Sequence, residues 1–209
     1  WVPEVKRRGN AWETITMAAD TWRAEAGRFI LGCNYWASHA GTAMWTDWQP
    51  EVVDRDLARL AEAGLDTLRV FPLWPAFQPI TLLRGHAGRP VEFAHGERTL
   101  EATEAGRAGV SAEAVGRFAE FLDLAEKHRF RLIVPLITGW MSGRWFVPPA
   151  LEGRNVLTDP VAIQWQVRFV RYFVRRFREA ACIAAWELGN ECNCLGEFTR
   201  EAFWVWASA

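Results

Sequence analysis

The chain has 209 residues, half of them apolar and 23% charged, an ordinary globular composition with enough apolar material for one sizeable core. Its 24 Lys and Arg balance 25 Asp and Glu to a net charge of −1, so neither a basic footprint for nucleic acid nor an acidic tail is present. No apolar run approaches the roughly 18–20 residues of a membrane helix, and no membrane partner is expected.

Residues 1–28 are polar and mixed and read as an N-terminal extension, with Lys6-Arg7-Arg8 as a solvated face; no Met and no basic, apolar leader opens the sequence. Phe29 to Cys33 is a short apolar run that predicts a first strand. Pro50 to Gly64 predicts a helix, with Pro near its start, Val53, Leu57 and Leu60 at helical spacing, and Gly64 as its stop. Thr67 to Phe71 predicts a second strand. Ser111 predicts a helix cap, followed by a stripe of Val115, Phe118, Leu122 and Ala125, with Lys127 and His128 at the dipole's negative end. Arg131 to Ile137 predicts a third strand. Asp159-Pro160 opens a long helix whose apolar positions are read as Ile163, Val167, Val170, Val174 and Phe177. Cys182 to Leu188 predicts the fourth strand, and Phe198 to Ala209 a fourth helix with Trp204 and Trp206.

Four alternations of an apolar strand with a helix argue a parallel sheet with helical crossovers. A dinucleotide-binding sheet needs a glycine fingerprint after its first strand. Here that strand runs into Asn34-Tyr-Trp-Ala-Ser38. The connections after the second and third strands are long, residues 72–110 and 138–158, and long loops after strands are where a (β/α)8 barrel carries its chemistry. The expected fold is therefore α/β, a TIM barrel. A full barrel takes roughly 250 residues and eight βα units, whereas 29–209 holds four. Residues 29–209 are thus read as the N-terminal half of a barrel whose remaining half belongs to the same, longer chain.

Four cysteines are too few for a disulfide scaffold; Cys33 and Cys182 read as buried thiols, and Cys192-Asn193-Cys194 lacks the second pair or His of a metal site. No metal and no cofactor is expected. His86 and His95 fall in the long second loop and read as solvated. The 13 Trp against 2 Tyr suit a binder of flat ligand faces, sugars among them.

The fourth strand ends in Trp186-Glu187-Leu188-Gly189-Asn190-Glu191. Cleaving a glycoside needs a carboxylic acid to protonate the leaving oxygen and a second carboxylate on the opposite side of the sugar. A Glu at the carboxyl end of a barrel strand, beside an amide that bonds a sugar hydroxyl, fits the first role.

Thr158 to Cys194 resembles the fourth-strand region of glycoside hydrolase family 5, especially its β-mannanase-like members. Gly32-Cys-Asn-Tyr-Trp36 resembles that family's first strand and Gly64-Leu-Asp-Thr-Leu-Arg69-Val-Phe its second. The resemblance implies a retaining glycosidase acting on a β-linked oligo- or polysaccharide of mannan or glucan type. It implies Glu191 as acid/base, Asn190 on the substrate's 2-hydroxyl, and Arg69 at the floor of the site beside the nucleophile, a Glu on the seventh strand outside this sequence. Arg69 also has a second reading, as the countercharge of Glu187, which lies on the same face as Glu191 one layer down. Where the family often has a His near the end of the third strand, this chain has Thr138-Gly139-Trp140. Trp36, Trp74, Trp140 and Trp145 follow strands and are candidate sugar platforms, and His39 is a candidate substrate contact. The competing reading is a non-catalytic carbohydrate-binding barrel.

Overall fold

The computed structural model describes residues 5–8, 11–14 and 29–209. Val5–Arg8 and Ala11–Thr14 pair as an antiparallel hairpin. The side chains of Lys6, Arg7 and Arg8 lie outside the described residues, and so does the expected solvated face. From Gly32 onward, four strands alternate with four helices. They are β1 (Gly32–Tyr35), α1 (Pro50–Glu62), β2 (Thr67–Val70), α2 (Ala112–Lys127), β3 (Arg131–Ile137), α3 (Pro160–Phe177), β4 (Ile183–Gly189) and α4 (Arg200–Ser208).

The strands are parallel and lie in the order β4-β3-β2-β1. Among the described residues β1 and β4 each have one strand partner, so the barrel is not closed. Because successive side chains of a strand face opposite ways, Leu68 and Val70 of β2 and Leu132, Val134 and Leu136 of β3 join the core with the helices. Arg69, between Leu68 and Val70, falls on the other face, towards the barrel interior. The core beneath the helices is aromatic. Trp45, Phe77, Phe118, Phe169 and Phe173 are fully buried and contact one another edge-on or tilted.

Three of the four helices, α2, α3 and α4, begin where a side chain satisfies their first N–H groups, whereas α1 starts on Pro50 without a side-chain cap. Ser111 Oγ accepts from Ala114 N (3.2 Å), Asp159 Oδ1 from Val161 N and Ala162 N (2.9 and 3.0 Å), and Thr199 Oγ1 from Ala202 N (3.2 Å).

Several expectations are corrected. β1 starts at Gly32, three residues after Phe29, and takes in Asn34 and Tyr35; Phe29, Ile30 and Leu31 are exposed. α3 fully buries Ala162, Trp165, Gln166, Phe169, Phe173 and Phe177; of the expected stripe only Phe177 is among them, and Ile163, Val170 and Val174 pack half-buried against the core. Two apolar stripes compete on that helix, and the aromatic one removes more surface from water. Ile163, Val167 and Val170 instead border a cavity of about 160 Å³ with Leu188 and Trp206. His128 does more than face a helix end: its Nε2 lies 2.6 Å from Asp54 Oδ1, joining α2 to α1. His95 is half-buried, with Nε2 3.0 Å from the Gly109 carbonyl, whereas His86 is exposed. Cys182 is buried and Cys33 half-buried. Burial raises both thiols above their ordinary range, Cys182 to about 12 with the charge of Glu126 adding.

The long loops also carry structure of their own. Residues 80–99 form a three-stranded antiparallel ribbon of Ile80–Arg84, Pro90–His95 and Arg98–Thr99. Trp140–Met141 and Arg144–Trp145 form a short hairpin after β3.

Candidate active site

At the carboxyl end of the strands, Arg69, Glu187, Asn190 and Glu191 form one line of hydrogen bonds. The guanidinium of Arg69 meets Glu187 fork to fork: Nε donates to both carboxylate oxygens (3.1 and 2.9 Å) and Nη2 to Oε2 (2.5 Å). Nη1 donates to Asn190 Oδ1 at 3.0 Å. Asn190 Nδ2 then donates to the Trp140 carbonyl (2.8 Å) and to Glu191 Oε2 (3.2 Å). The Phe71 ring lies under the guanidinium, 4.6 Å from its carbon, so Arg69 is held by an aromatic face as well as by charge.

The local sequence explains this placement. Glu187 and Gly189 sit on the interior face of β4, in register with Pro135 and Ile137 of β3. Gly189 is required there, because a Cβ would stand 2.2 Å from the Ile137 carbonyl oxygen. Glu191 then adopts φ 45°, ψ 47°, a left-handed conformation that costs a non-glycine residue about 1–2 kcal/mol. It ends the strand, and its carbonyl accepts from Cys194 N in the tight turn Cys192–Cys194. Asn190 is buried while Glu191 is exposed. The Cys192 thiol beside them is pushed up to about 11, chiefly by burial with Glu187's charge adding and Arg69 opposing. It is therefore neutral near pH 7 and no nucleophile there.

Of the two readings of Arg69, the structure shows the countercharge of Glu187. Three of its five N–H donors are engaged, by Glu187 and Asn190. The other two have no partner among the described residues.

The aromatic candidates separate. Trp74 is fully buried, with its Nε1 donating to Gln78 Oε1 at 2.8 Å, so it is a core residue with no free face for a sugar. Trp36 is half-buried and stacks on Phe71, centroids 5.1 Å apart and planes 9° from parallel. Trp140 is half-buried and meets the exposed Trp145 edge-on at 5.8 Å. Trp145 borders a cleft of about 550 Å³ with Leu151, Arg154, Asn155 and Glu197. His39 does not present a ring nitrogen to a ligand: Nε2 lies 2.8 Å from the Asp47 carbonyl, and Nδ1 is buried without a partner among the described residues. At the third strand end, Thr138 is buried and a Cβ on Gly139 would stand 2.8 Å from Leu195 Cδ2. A longer side chain at that glycine would have to displace the Leu195 methyl.

No family model matches the sequence. Among curated proteins, the probable mannan endo-1,4-β-mannosidase F of Aspergillus flavus is 27% identical over 165 residues, covering 75% of this chain and 34% of its own length. Among solved structures, an exo-β-1,4-mannosidase from Opitutaceae bacterium strain TAV5 aligns with TM-score 0.67 and 27% identity, over 87% of this chain and 29% of that one. A GH5_18 protein from Streptomyces cattleya, solved in complex with GlcNAc, aligns with TM-score 0.68 and 24% identity, over 86% and 39%. The chain has the fold of part of a TIM barrel, like the barrels of these glycosidases. It spans about a third of the length of the curated relatives it matches. In that fold Asn190 and Glu191 follow the fourth strand and Arg69 lies on the second.

Proposed function

We propose that these residues form the acid/base half of a retaining β-glycosidase site acting on a mannan-type glycan. The observation that carries this reading is the placement of a solvent-facing Glu191 at the end of β4, with Asn190 hydrogen-bonded to it and fixed by Arg69. Support for a mannan-type substrate comes from the mannosidase names of the relatives. The opposing nucleophile, a second Glu, is proposed to come from the remaining half of the barrel, outside these 209 residues. The two N–H donors of Arg69 left over from Glu187 and Asn190 are available to hold it ionised.

In the proposed double displacement, Glu191 gives its proton to the departing glycosidic oxygen as the nucleophile attacks the sugar carbon. The resulting glycosyl-enzyme is then opened by water, whose proton returns to Glu191. Asn190 bonds the 2-hydroxyl, an interaction that strengthens in the transition state.

The test is Glu191→Ala in the complete barrel. Turnover of a β-mannoside with a poor leaving group should collapse, because that group needs the proton. A substrate with a good leaving group should still form the glycosyl-enzyme, and added azide should trap it as the β-mannosyl azide. Unchanged turnover of the poor leaving group would overturn the assignment, and a complete barrel that binds mannan without cleaving it would favour the non-catalytic reading.

A further inference from the structure

The Asn190 side chain has two ends that differ only in which atom is oxygen and which is NH2. Its orientation is nonetheless fixed. Oδ1 faces Arg69 Nη1, a group that only donates, and Nδ2 faces the Trp140 carbonyl, a group that only accepts. Turning the amide over would set NH2 against guanidinium and oxygen against carbonyl. The orientation therefore depends on where Arg69 points, and Arg69 is aimed by Glu187 through the two-nitrogen fork.

We propose that Glu187 is a positioning residue: it holds Arg69, and through Arg69 the Asn190 amide, so that the amide meets Glu191 and a substrate hydroxyl in one orientation. This rests on the glycosidase reading above and extends it to a residue that touches neither substrate nor reacting atoms. Glu187 also balances the charge of Arg69. In register beside Arg69 stand Asn34 and Ile133, and beside Glu187 stands Pro135, none of them charged. The turn adds the neutral Cys192 thiol and the Glu191 carboxylate itself. With Glu187 made neutral, the guanidinium charge would face Glu191 through Asn190 uncompensated, and a nearby cation favours the ionised carboxylate.

The experiment compares Glu187→Gln, Glu187→Asp and the double variant Arg69→Met/Glu187→Met with the complete barrel on a β-mannoside. Glu187→Gln is expected to lower kcat on the order of a hundredfold, as a misplaced contact does, with KM little changed. The basic limb of its pH profile should move to lower pH, and Glu187→Asp should restore part of both. The double variant covers the case in which Glu187→Gln fails to fold. Apolar replacements of a partly buried ion pair usually keep a protein folded, yet the amide would stay unpinned and kcat low. Wild-type kcat and an unmoved limb in Glu187→Gln, or wild-type kcat in the double variant, would overturn the proposal. Glu191→Ala run in parallel separates the two levels. If it abolishes turnover while Glu187→Gln does not, only the positioning role falls. If it leaves turnover intact, the glycosidase reading falls.

Discussion

Asn190 and Trp140 are joined by a hydrogen bond of 2.8 Å from the side-chain amide to a main-chain carbonyl, tying the end of β4 to the hairpin that follows β3. Replacing Asn190 by Ala would leave that buried bond and one Arg69 donor unmade, and would remove the amide offered to the substrate. The Nδ2 hydrogens of Asn190 already serve Trp140 and Glu191, so a substrate hydroxyl would meet the remaining lone pair of Oδ1; loss of one such preorganised hydrogen bond costs about 10²–10³ in rate. Asn190→Ala in the complete barrel is therefore expected to lower kcat/KM by that factor, read from steady-state kinetics.

Trp145 and Trp74 give opposite outcomes under the same substitution. Trp145 is 53% exposed and stands beside the open cleft, so Trp145→Ala should change the denaturation midpoint little, within about 0.5 kcal/mol, while raising KM for an oligosaccharide. Trp74 is fully buried, and Trp74→Ala should cost about 3–5 kcal/mol of stability through the lost area and the cavity. Urea unfolding of both variants, with KM for Trp145→Ala, checks the pair.

What was legible in the sequence follows the range of the interaction that determines it. β3 matches its predicted span because an apolar run, Leu132 to Ile137, follows directly on a helix end. The caps at Ser111 and Asp159 are local and equally clear. The site residues Asn190 and Glu191 are adjacent in the chain, so their chemistry shows in the motif. The bond between Arg69 and Glu187 spans 118 positions and depends on strand order; strand alternation alone placed both on an interior face. The ribbon of residues 80–99 was missed although its strands alternate, because Gly- and Arg-rich turns broke the pattern into short pieces. The buried face of α3 is legible only in part, at Phe177, because two stripes satisfy one helical period and only packing decides between them.

Gln78 is a buried polar residue that the fold depends on. It is fully buried just after Trp74–Phe77, and every polar atom of its side chain is used. Nε2 donates to the carbonyls of Ala108 (2.8 Å) and Trp165 (2.9 Å), and Oε1 accepts from Trp74 Nε1. Gln78→Leu keeps the volume but orphans the Trp74 indole N–H and the Ala108 carbonyl, each worth about 1–3 kcal/mol, while the Trp165 carbonyl keeps its helix bond. A loss of at least about 2 kcal/mol is expected in chemical denaturation, and a loss below about 1 kcal/mol would contradict this account.

Asp159 ties stability to acid. Burial opposes its charge, but the Ala162 N–H, Arg154 and the Val161 N–H outweigh that, and its carboxyl lies below the ordinary Asp range. A depressed native value stabilises the fold fully above the unfolded value of about 3.9 and is lost as pH falls below it. Asp159→Ala should cost about 1 kcal/mol near pH 7, as an N-cap does. The difference from wild type should shrink as the pH is taken below 4, which thermal melts across that range would show.

Gly189 couples the fold to the site most directly. The β3 backbone passes so close that any Cβ there would overlap the Ile137 carbonyl oxygen and crowd the Cys192 sulfur, 2.9 Å away. The backbone oxygen cannot swing aside as a long side chain would, so β4 must move off β3 at the point where Asn190 N bonds the same Ile137 carbonyl (3.3 Å). Gly189→Ala is expected to cost about 1–3 kcal/mol by overpacking. It should also shift Asn190 and Glu191 enough to lower kcat on the order of a hundredfold in the complete barrel. The two effects arise from one displacement, so a variant that loses stability but keeps wild-type kcat would show that the strand end relaxes without carrying the acid/base with it.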